Sequence, residues 1–412
     1  MNLTDLKKYD YVLPEELIRK EGVEPRDSAR LFVYDTKTDT ITHDTFLNLA
    51  KYLPEHSVLV LNDTKVVPAR LHLKKATGGK IEVFVLMNEM SQLPPPLSEG
   101  RAGRGGYKDF SKPLSLEDST APLGKGGQDL LIPVLVDRKC GVGWKLFFPN
   151  GDYFEMIRQE ENRFFAKLHS PLLNPPLRKG EEVKKLNDLL DEFGETPIPP
   201  YLKGEEWLRD EKKLRERYQT VFADSGKSVA APTAALHFTD RVFRSLREKH
   251  IAEAHVTLDV GLGTFAKLKD EHFAEKKLHH EWIEVSSEAA EKINQAKREK
   301  RSVITVGTTA LRTLESVALG VIPGLIRDPE IPVDSFIKPF SGYTNIFISP
   351  PHHFRSADIL ITNFHIPKSS LMLLVDAFLQ DKGAKRNLVQ LYEEAIREKY
   401  AFYSLGDSML IL

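Results

Sequence analysis

Residues 302–317 (SVITVGTTALRTLESV) and 358–379 (DILITNFHIPKSSLMLLVDAFL) decide the fold class, because each joins a short apolar run to a helical pattern through a polar turn. Short runs rich in Val and Ile are typical of buried strands, and apolar residues recurring every three or four positions indicate helices. We expect a strand at 303–306, after which Gly307-Thr308-Thr309 opens a helix over 310–318. Alternating strands and helices predict a layered α/β domain.

A β-rich domain is predicted to interrupt this α/β domain. Residues 57–61 (SVLVL) indicate a buried strand, but the first 71 residues hold too little apolar material for a core of their own. Strand-like runs separated by turns then follow at 72–87, 130–136, 144–148 and 163–168. We therefore assign 1–71 to the first part of a discontinuous α/β domain, 72–182 to an inserted β domain, and 183–412 to the second part.

Three stretches depart from the periodic pattern and are rich in Pro, Gly, Arg and Leu. They lie near 92–128, 170–182 and 320–334. Such composition does not supply a packed core, so we predict flexible surface insertions that carry no chemistry.

Composition narrows the class of protein. The 412 residues include 58 basic and 59 acidic side chains, so no global positive field would attract nucleic acid and any RNA site must be a local patch. The single cysteine, Cys140, excludes an intramolecular disulfide or a Cys-cluster metal site. We find no signal sequence and no apolar run of the ~20 residues that span a bilayer, and we expect a cytoplasmic protein without membrane contact.

Histidines are the most informative polar residues, because a neutral imidazole can accept or donate a proton near pH 7. His237 precedes a helix predicted to be capped by Thr239, and His365 lies in a loop between a strand and a helix, where α/β folds bind ligands. A lone histidine is more often a packing residue, and that alternative stays open. His279 and His280 are adjacent in an extended segment and should face opposite sides, so we expect no metal site there with Glu281.

The turn Gly307-Thr308-Thr309 offers backbone N–H groups at a helix start, which could receive a carboxylate or a phosphate. Thr309 acting only as a helix cap explains the turn equally well.

Long blocks of sequence carry a family resemblance. They include 218–238 (YQTVFADSGKSVAAPTAALHF), 256–265 (VTLDVGLGTF), 306–316 (VGTTALRTLES) and 360–378 (LITNFHIPKSSLMLLVDAF), and the match continues over nearly the whole chain outside the three insertions. The chain resembles the S-adenosylmethionine:tRNA ribosyltransferase-isomerase family of queuosine biosynthesis. The resemblance implies an α/β domain with an inserted antiparallel β-barrel.

The reaction that the resemblance implies moves the ribosyl part of S-adenosylmethionine onto 7-aminomethyl-7-deazaguanine at the tRNA wobble position. It forms epoxyqueuosine and releases adenine and methionine. S-adenosylmethionine is then a substrate, with no further cofactor and no metal. The expected partner is a tRNA with a GUN anticodon, bound by a monomer.

Site residues follow from the resemblance together with the residue chemistry. The catalytic candidates are His237, His279 and His365. The substrate-binding candidates are Tyr218, Gln219, Thr233, Asp259, Glu281, Thr308, Thr309, Arg312 and Asn363. Asp259 or Glu281 would stabilise the sulfonium, and Arg312 with the Thr308-Thr309 turn would hold the methionine carboxylate or a tRNA phosphate.

Aromatic faces at Tyr201, Tyr218, Phe222 and Phe364 are candidates for holding a splayed-out base. The sequence departs from the family pattern at several positions, which are Lys65, Ala235, Asp259, Lys276 and Pro351. At Asp259 and Lys276 the family has histidine, so the acid–base roles shift to the three catalytic candidates. The alternatives are an S-adenosylmethionine-dependent RNA methyltransferase and a non-catalytic RNA-binding module.

Overall fold

A nine-stranded sheet organises the larger of two compact units in the computed structural model of this protein. The larger unit contains residues up to Val66 and Ile198–Leu412, and the smaller one is Val67–Pro197. The structure describes residues 2–92, 130–171, 179–202, 205–261, 263, 268–319 and 337–412.

The secondary-structure elements are numbered along the chain. The strands are β1 (Arg30–Asp35), β2 (Thr40–Thr45), β3 (Val58–Asn62), β4 (Thr64–Val66), β5 (Arg70–Lys75), β6 (Lys80–Val85), β7 (Ile132–Val136), β8 (Lys145–Phe147), β9 (Tyr153–Glu160), β10 (Arg163–His169), β11 (Gly194–Glu195), β12 (Ser225–Ser228), β13 (Ala252–Asp259), β14 (Lys277–Val285), β15 (Val303–Val306), β16 (Phe340–Ile346), β17 (Ile359–Asn363) and β18 (Ser408–Ile411). The α-helices are α1 (Lys179–Phe193), α2 (Glu211–Arg217), α3 (Asp240–Glu248), α4 (Asp270–Glu275), α5 (Ser287–Arg298), α6 (Gly307–Leu319), α7 (Ser370–Asp381) and α8 (Leu388–Arg397).

The large sheet has a parallel centre and largely antiparallel flanks. Its order is β16-β14-β13-β3-β15-β17-β18-β1-β2, and the four central strands β13, β3, β15 and β17 run parallel. β14 and β18 are antiparallel to β13 and β17, respectively. The carboxyl ends of the four central strands therefore meet at one edge, which is where open α/β sheets bind ligands.

Strand β3 shows why this sheet is covered on both faces. Leu59 and Leu61 pack in one apolar cluster with residues of α3, whereas Val58 and Val60 pack in another with residues of α5 and α6. Alternate side chains of a strand point to opposite faces, so both faces are buried. Burying each such side chain contributes roughly 2 kcal/mol, which explains why an uninterrupted apolar run marks this strand. The predicted strand at 57–61 is confirmed.

The predicted strand-turn-helix units are confirmed, with one boundary corrected. The strand at 303–306 is β15, and α7 begins after its cap Ser369. Thr239 caps α3, where its side chain accepts a hydrogen bond from the Val242 amide. Helix α6 starts at Gly307, three residues earlier than predicted, because Gly307 adopts φ +84° and turns the strand directly into the helix. Thr308 and Thr309 thus belong to the first helical turn, and Thr309 is not a cap.

The smaller unit is built on an antiparallel sheet of order β11-β5-β6-β7-β10-β9-β8, in which β5 also pairs with β8. Helix α1 adds Leu186, Leu189 and Leu190 to its core. The predicted limits of 72–182 were too narrow, because α1 packs on this sheet and β11 pairs with β5, which carries the unit to Pro197. Strand β9 was not predicted, since Glu155 and the polar run Arg158-Gln159-Glu160 interrupt its apolar pattern.

The predicted insertions near 92–128 and 320–334, and most of 170–182, lie outside the described residues. Residues 179–182 are an exception to the prediction, since they form the first turn of α1. Within the described ranges, no helix combines the length and apolar character needed to cross a membrane.

Candidate functional site

The carboxyl edge of the central strands brings together many of the polar residues predicted from the sequence. β13 ends at Asp259, β17 ends at Asn363, and β15 leads into Thr308 and Thr309. β14 runs in the opposite direction, so its first residues, including Glu281, also lie at this edge. Of these residues, Glu281 lines one of the two cavities described below.

The first cavity is called the Arg312 cavity and encloses about 410 Å³, part of it open to solvent. Its lining combines polar groups with aliphatic side chains and consists of Gly263, Leu278, His279, Glu281, Arg312, Ile348, Ser370, Leu371 and Leu374. Arg312 is 5% exposed, and its Nη1 donates to Glu281 Oε2. Glu281 Oε1 accepts from the Gly261 amide at 3.1 Å. Arg312 Nε and Nη2 have no hydrogen-bond partner among the described residues.

Asp259 lies close to this ion pair but is held by the protein chain. Its Oδ1 accepts hydrogen bonds from Thr64 Oγ1 at 2.7 Å and from the Lys227 amide at 2.8 Å. Burial raises the pKa of Asp259, and the charge of Glu281 adds to this effect, while the two hydrogen bonds oppose it. Gly226 permits the close approach, because a Cβ there would lie 2.4 Å from Thr64 Oγ1 and the residue adopts φ +102°.

His279 and His280 occupy different surroundings on β14, as the extended segment predicted. The exposed His279 packs on Gly263, where an added Cβ would lie 2.2 Å from the ring. His280 is also exposed as a residue, but its Nε2 lies 3.3 Å from Asn345 Nδ2. Partial desolvation of the ring lowers its pKa, as do the charges of Lys277 and His279. Among the described residues, the group that could hold a metal ion is His43, Glu394 and Glu398, which does not line this cavity.

Two further buried polar groups at the carboxyl edge of the sheet lack partners within the described part of the chain. Thr309 Oγ1 in the first turn of α6 is one of them, and Asn363 Nδ2 is the other. Asn363 Oδ1 accepts from Thr233 Oγ1 at 2.8 Å, so Thr233 orients this amide. Thr308 is buried in the same turn.

The second cavity is called the His237 cavity and encloses about 460 Å³, part of it open to solvent. Its lining comes from four separate parts of the chain and consists of Gly22, Val23, Glu24, Arg26, Trp207, Arg217, Tyr218, Leu236, His237, Ser404 and Leu405. His237 is 5% exposed, and its Nε2 has no partner in the ranges that the structure describes.

The surroundings of His237 define its protonation state. Burial lowers its pKa to about 4, against opposing effects from the charge of Asp407 and a backbone hydrogen bond with Arg26. Because Nε2 is unbonded and this hydrogen bond favours the protonated ring, Nδ1 donates to the Arg26 carbonyl oxygen. At neutral pH the ring is therefore uncharged and presents the lone pair of Nε2.

Tyr218 and Arg26 are two further polar residues of the His237 cavity. The Tyr218 hydroxyl is buried and has no partner at good hydrogen-bond geometry among the described residues. Burial raises its pKa, and the nearby Ala231 backbone opposes this effect. The Arg26 guanidinium donates to the carbonyl oxygens of Gln219 and Glu216 at 2.6 and 2.7 Å. Arg26 was not predicted, because no motif surrounds it and its partners lie about 190 residues away along the chain.

Gln219 and Phe364 have structural contacts that their predicted roles did not include. The Gln219 side chain donates to the Val66 carbonyl oxygen and accepts from the Val66 amide, so both ends of its amide bind the chain. Phe364 is fully buried and packs on Phe402, which leaves no face free to stack on a base. The base-stacking role predicted for Phe364 is therefore wrong.

His365 lines neither cavity. Its Nε2 lies 2.8 Å from Thr362 Oγ1, and burial lowers its pKa to about 3. Its amide donates to the Tyr392 hydroxyl at 2.9 Å. Within the described residues, no hydrogen bond or ring contact joins any two of His237, His279 and His365.

Comparison with known proteins identifies relatives along the entire length. The family model described as "Queuosine biosynthesis protein" matches residues 6–411. An S-adenosylmethionine:tRNA ribosyltransferase-isomerase from Carboxydothermus hydrogenoformans is 38% identical over 408 residues, covering 99% of each chain. One from Aquifex aeolicus is 38% identical over 409 residues, again covering 99% of each. A crystal structure of an S-adenosylmethionine tRNA ribosyltransferase from Thermotoga maritima aligns with 26% identity and a TM-score of 0.47, covering 98% of this chain and 100% of that one.

Proposed function

The chain belongs to the queuosine biosynthesis protein family, and from this premise we propose that it is an S-adenosylmethionine:tRNA ribosyltransferase-isomerase. It moves the ribosyl moiety of S-adenosylmethionine to 7-aminomethyl-7-deazaguanine in tRNA, forms epoxyqueuosine and releases adenine and methionine. The observation that carries the proposal is the match to curated relatives of that name over 99% of the chain.

The chemistry needs a base for a proton next to the sulfonium, whose positive charge acidifies the neighbouring carbon, and an acid that helps adenine to leave. We propose that His237, His279 and His365 include these groups. His237 is the best suited to accept a proton, since its Nε2 lone pair is unpaired among the described residues and faces a cavity. His279 lines the other cavity. His365 would act only after its Nε2 leaves Thr362.

Of the binding residues proposed for the substrates, Glu281 and Arg312 line the Arg312 cavity and Tyr218 lines the His237 cavity. Asp259 and Glu281 place buried carboxylates where they would stabilise a sulfonium. Thr233, Thr308, Thr309, Arg312 and Asn363 supply polar groups at the same edge, and Tyr218 supplies one in the His237 cavity. Gln219 would support the site indirectly, through its hydrogen bonds to Val66.

We also propose the architecture of the smaller unit, the location of the enzyme, its oligomeric state and its tRNA substrate. The pairing of β5 with β8 supports a closed antiparallel barrel in the smaller unit. Because both substrates of the proposed reaction are cytoplasmic metabolites or RNAs, we place the enzyme in the cytoplasm. We further propose that it acts as a monomer, without a separate cofactor, on tRNA with a GUN anticodon.

Product analysis tests the function. The protein is incubated with S-adenosylmethionine and a tRNA carrying 7-aminomethyl-7-deazaguanine at the wobble position. We expect adenine and methionine to appear in equal amounts, in step with epoxyqueuosine. S-adenosylhomocysteine would instead identify an RNA methyltransferase, and tRNA binding without any product would identify a binding module.

A further inference from the structure

One edge of the Arg312 guanidinium is unused. Nη1 donates to Glu281, whereas Nε and Nη2 have no hydrogen-bond partner among the described residues. The N–H bonds of Nε and Nη2 lie side by side in the guanidinium plane and point the same way, which is the arrangement that binds both oxygens of a carboxylate or phosphate.

This edge of the guanidinium is buried beside a cavity and is not a solvated surface group. Arg312 is 5% exposed and lines the Arg312 cavity. Leaving buried donors of a charged group unsatisfied is costly, so a ligand that binds them recovers that cost. Thr309, three residues earlier on the same face of α6, also has a buried hydroxyl without a partner in the described residues.

We propose that the Nε and Nη2 edge of Arg312 binds the carboxylate of the amino-acid end of S-adenosylmethionine, which makes Arg312 the residue that selects for this end. The inference rests on the proposed function and assigns part of the substrate to a place in the protein. The two N–H groups donate to the two carboxylate oxygens, and no covalent step is involved.

The charges around the cavity favour this ligand. S-adenosylmethionine carries one carboxylate beside two positive groups, the ammonium and the sulfonium. The carboxylate of Glu281 lies against Arg312, and Asp259 is close enough for its pKa to be affected by the charge of Glu281. The cavity thus offers Arg312 to the anionic group of the ligand and Glu281 to a cationic group, with Asp259 nearby.

A phosphate of the tRNA backbone fits the same edge less well. Leu278, Ile348, Leu371 and Leu374 surround it with aliphatic surface, which suits the methylene groups of a methionyl chain. Backbone phosphates of a folded RNA are contacted by exposed cations, and Arg312 is buried next to an acidic residue.

The test compares S-adenosylmethionine with an analogue from which only the carboxylate has been removed. Binding of each is measured by equilibrium dialysis with protein and excess tRNA that carries guanine at the wobble position, so that no turnover occurs. We expect the wild-type protein to bind the analogue about 10²-fold more weakly, the loss typical of two charge-assisted hydrogen bonds. This comparison needs no substitution and is unaffected by misfolding.

Substitution then assigns the effect to Arg312. Arg312→Gln should bind both compounds equally weakly. Arg312→Lys, which keeps the charge but loses the two-pronged geometry, should retain only part of the discrimination. Arg298→Gln, on the exposed surface of α5, is the matched control and should discriminate like the wild type. Circular dichroism checks that each variant is folded.

Equal binding of the two compounds by the wild type would overturn the inference, as would full discrimination by a folded Arg312→Gln variant. A variant that discriminates normally but binds tRNA more weakly, with a smaller dependence on salt, would assign the edge to a phosphate and overturn it too. Adenine release without discrimination between the two compounds would support the proposed function and overturn the role of Arg312. Discrimination between the two compounds without adenine release would support the carboxylate site and overturn the proposed function.

Discussion

The Arg312 cavity and the His237 cavity are similar in size, but they differ in the polar atoms that have no partner among the described residues. The first presents unused donors on a cation that is paired with Glu281. The second presents an unused acceptor, His237 Nε2, and the unused hydroxyl of Tyr218, both uncharged at neutral pH. The first is therefore suited to fixing an anion, and the second to accepting a proton or reading a polar heterocycle.

The difference separates two tasks that a transfer reaction needs. Charged groups that position a substrate can be fully ionised, whereas a proton acceptor must be unprotonated at the working pH. Burial strengthens the interaction of Arg312 with an anion. It also lowers the pKa of His237, which keeps the ring unprotonated at neutral pH and at the same time makes it a weaker base.

The largest effect is expected for His237→Gln. If His237 is the acid–base group, kcat should fall by about 10² to 10⁴, because Gln keeps polarity but cannot accept a proton. Adenine release under saturating substrates measures it. His72→Gln, at an exposed position of β5, is the matched control and should leave kcat unchanged. An unaltered rate in His237→Gln would remove the catalytic role of this cavity.

The ion pair of the Arg312 cavity should dominate stability. Glu281→Gln removes the anionic partner of a buried guanidinium and should lower the free energy of unfolding by about 3 kcal/mol. The double variant Glu281→Met with Arg312→Met should recover most of this loss, because it buries no charge, while activity stays low. Urea denaturation measures both. A loss below about 1 kcal/mol in the single variant would show that the pair is not buried as described.

Acid should weaken the protein through His237. Its pKa of about 4 in the folded state lies below the unfolded value of 6.5, so the unfolded chain gains a proton that the native chain resists. The contribution is complete above pH 6.5 and is lost as pH falls towards 4, which amounts to about 2 kcal/mol between pH 7 and pH 5.

His237→Leu should flatten this part of the curve of unfolding free energy against pH. His365, whose pKa is also lowered, adds an effect of the same sign and stays in that variant as an internal reference. An unchanged slope would mean that His237 is accessible to protons in the folded state.

The smallest effect is expected for Tyr218→Phe. The hydroxyl has no partner among the described residues, so its removal should change the free energy of unfolding by less than about 0.5 kcal/mol. If the hydroxyl binds a substrate, KM should still rise by up to about tenfold. Thermal unfolding measures the change in stability, and steady-state kinetics measure the change in KM. A large loss of stability would show that the hydroxyl has a structural role instead.

Local pattern predicted the parts of the fold in which neighbours along the chain decide the outcome. The apolar run at 57–61, the cap at Thr239 and the extended segment around His279 are confirmed. The limits of the smaller unit were missed at Pro197, because they depend on α1 and β11 meeting a sheet that begins over 100 residues earlier.

In the candidate site, too, the sequence predicted single residues but not the contacts between residues that are distant along the chain. The sequence identified Arg312 and Glu281 as polar residues of interest, but not that they form a buried pair with one free edge. It also gave no sign that Arg26 would bind the carbonyl oxygens of Glu216 and Gln219. Such pairings between distant residues arise only when the chain is folded.

The pairing of β11 with β5 has a consequence for how the smaller unit is carried by the chain. Glu195 lies opposite Arg70 and Gly194 opposite Leu71, so the chain enters and leaves this unit on hydrogen-bonded neighbours about 5 Å apart. The smaller unit is therefore inserted between two adjacent points of the chain, as a hairpin loop is, whatever its length. An element anchored in this way can be lengthened, shortened or exchanged in evolution without separating the two chain segments that flank it.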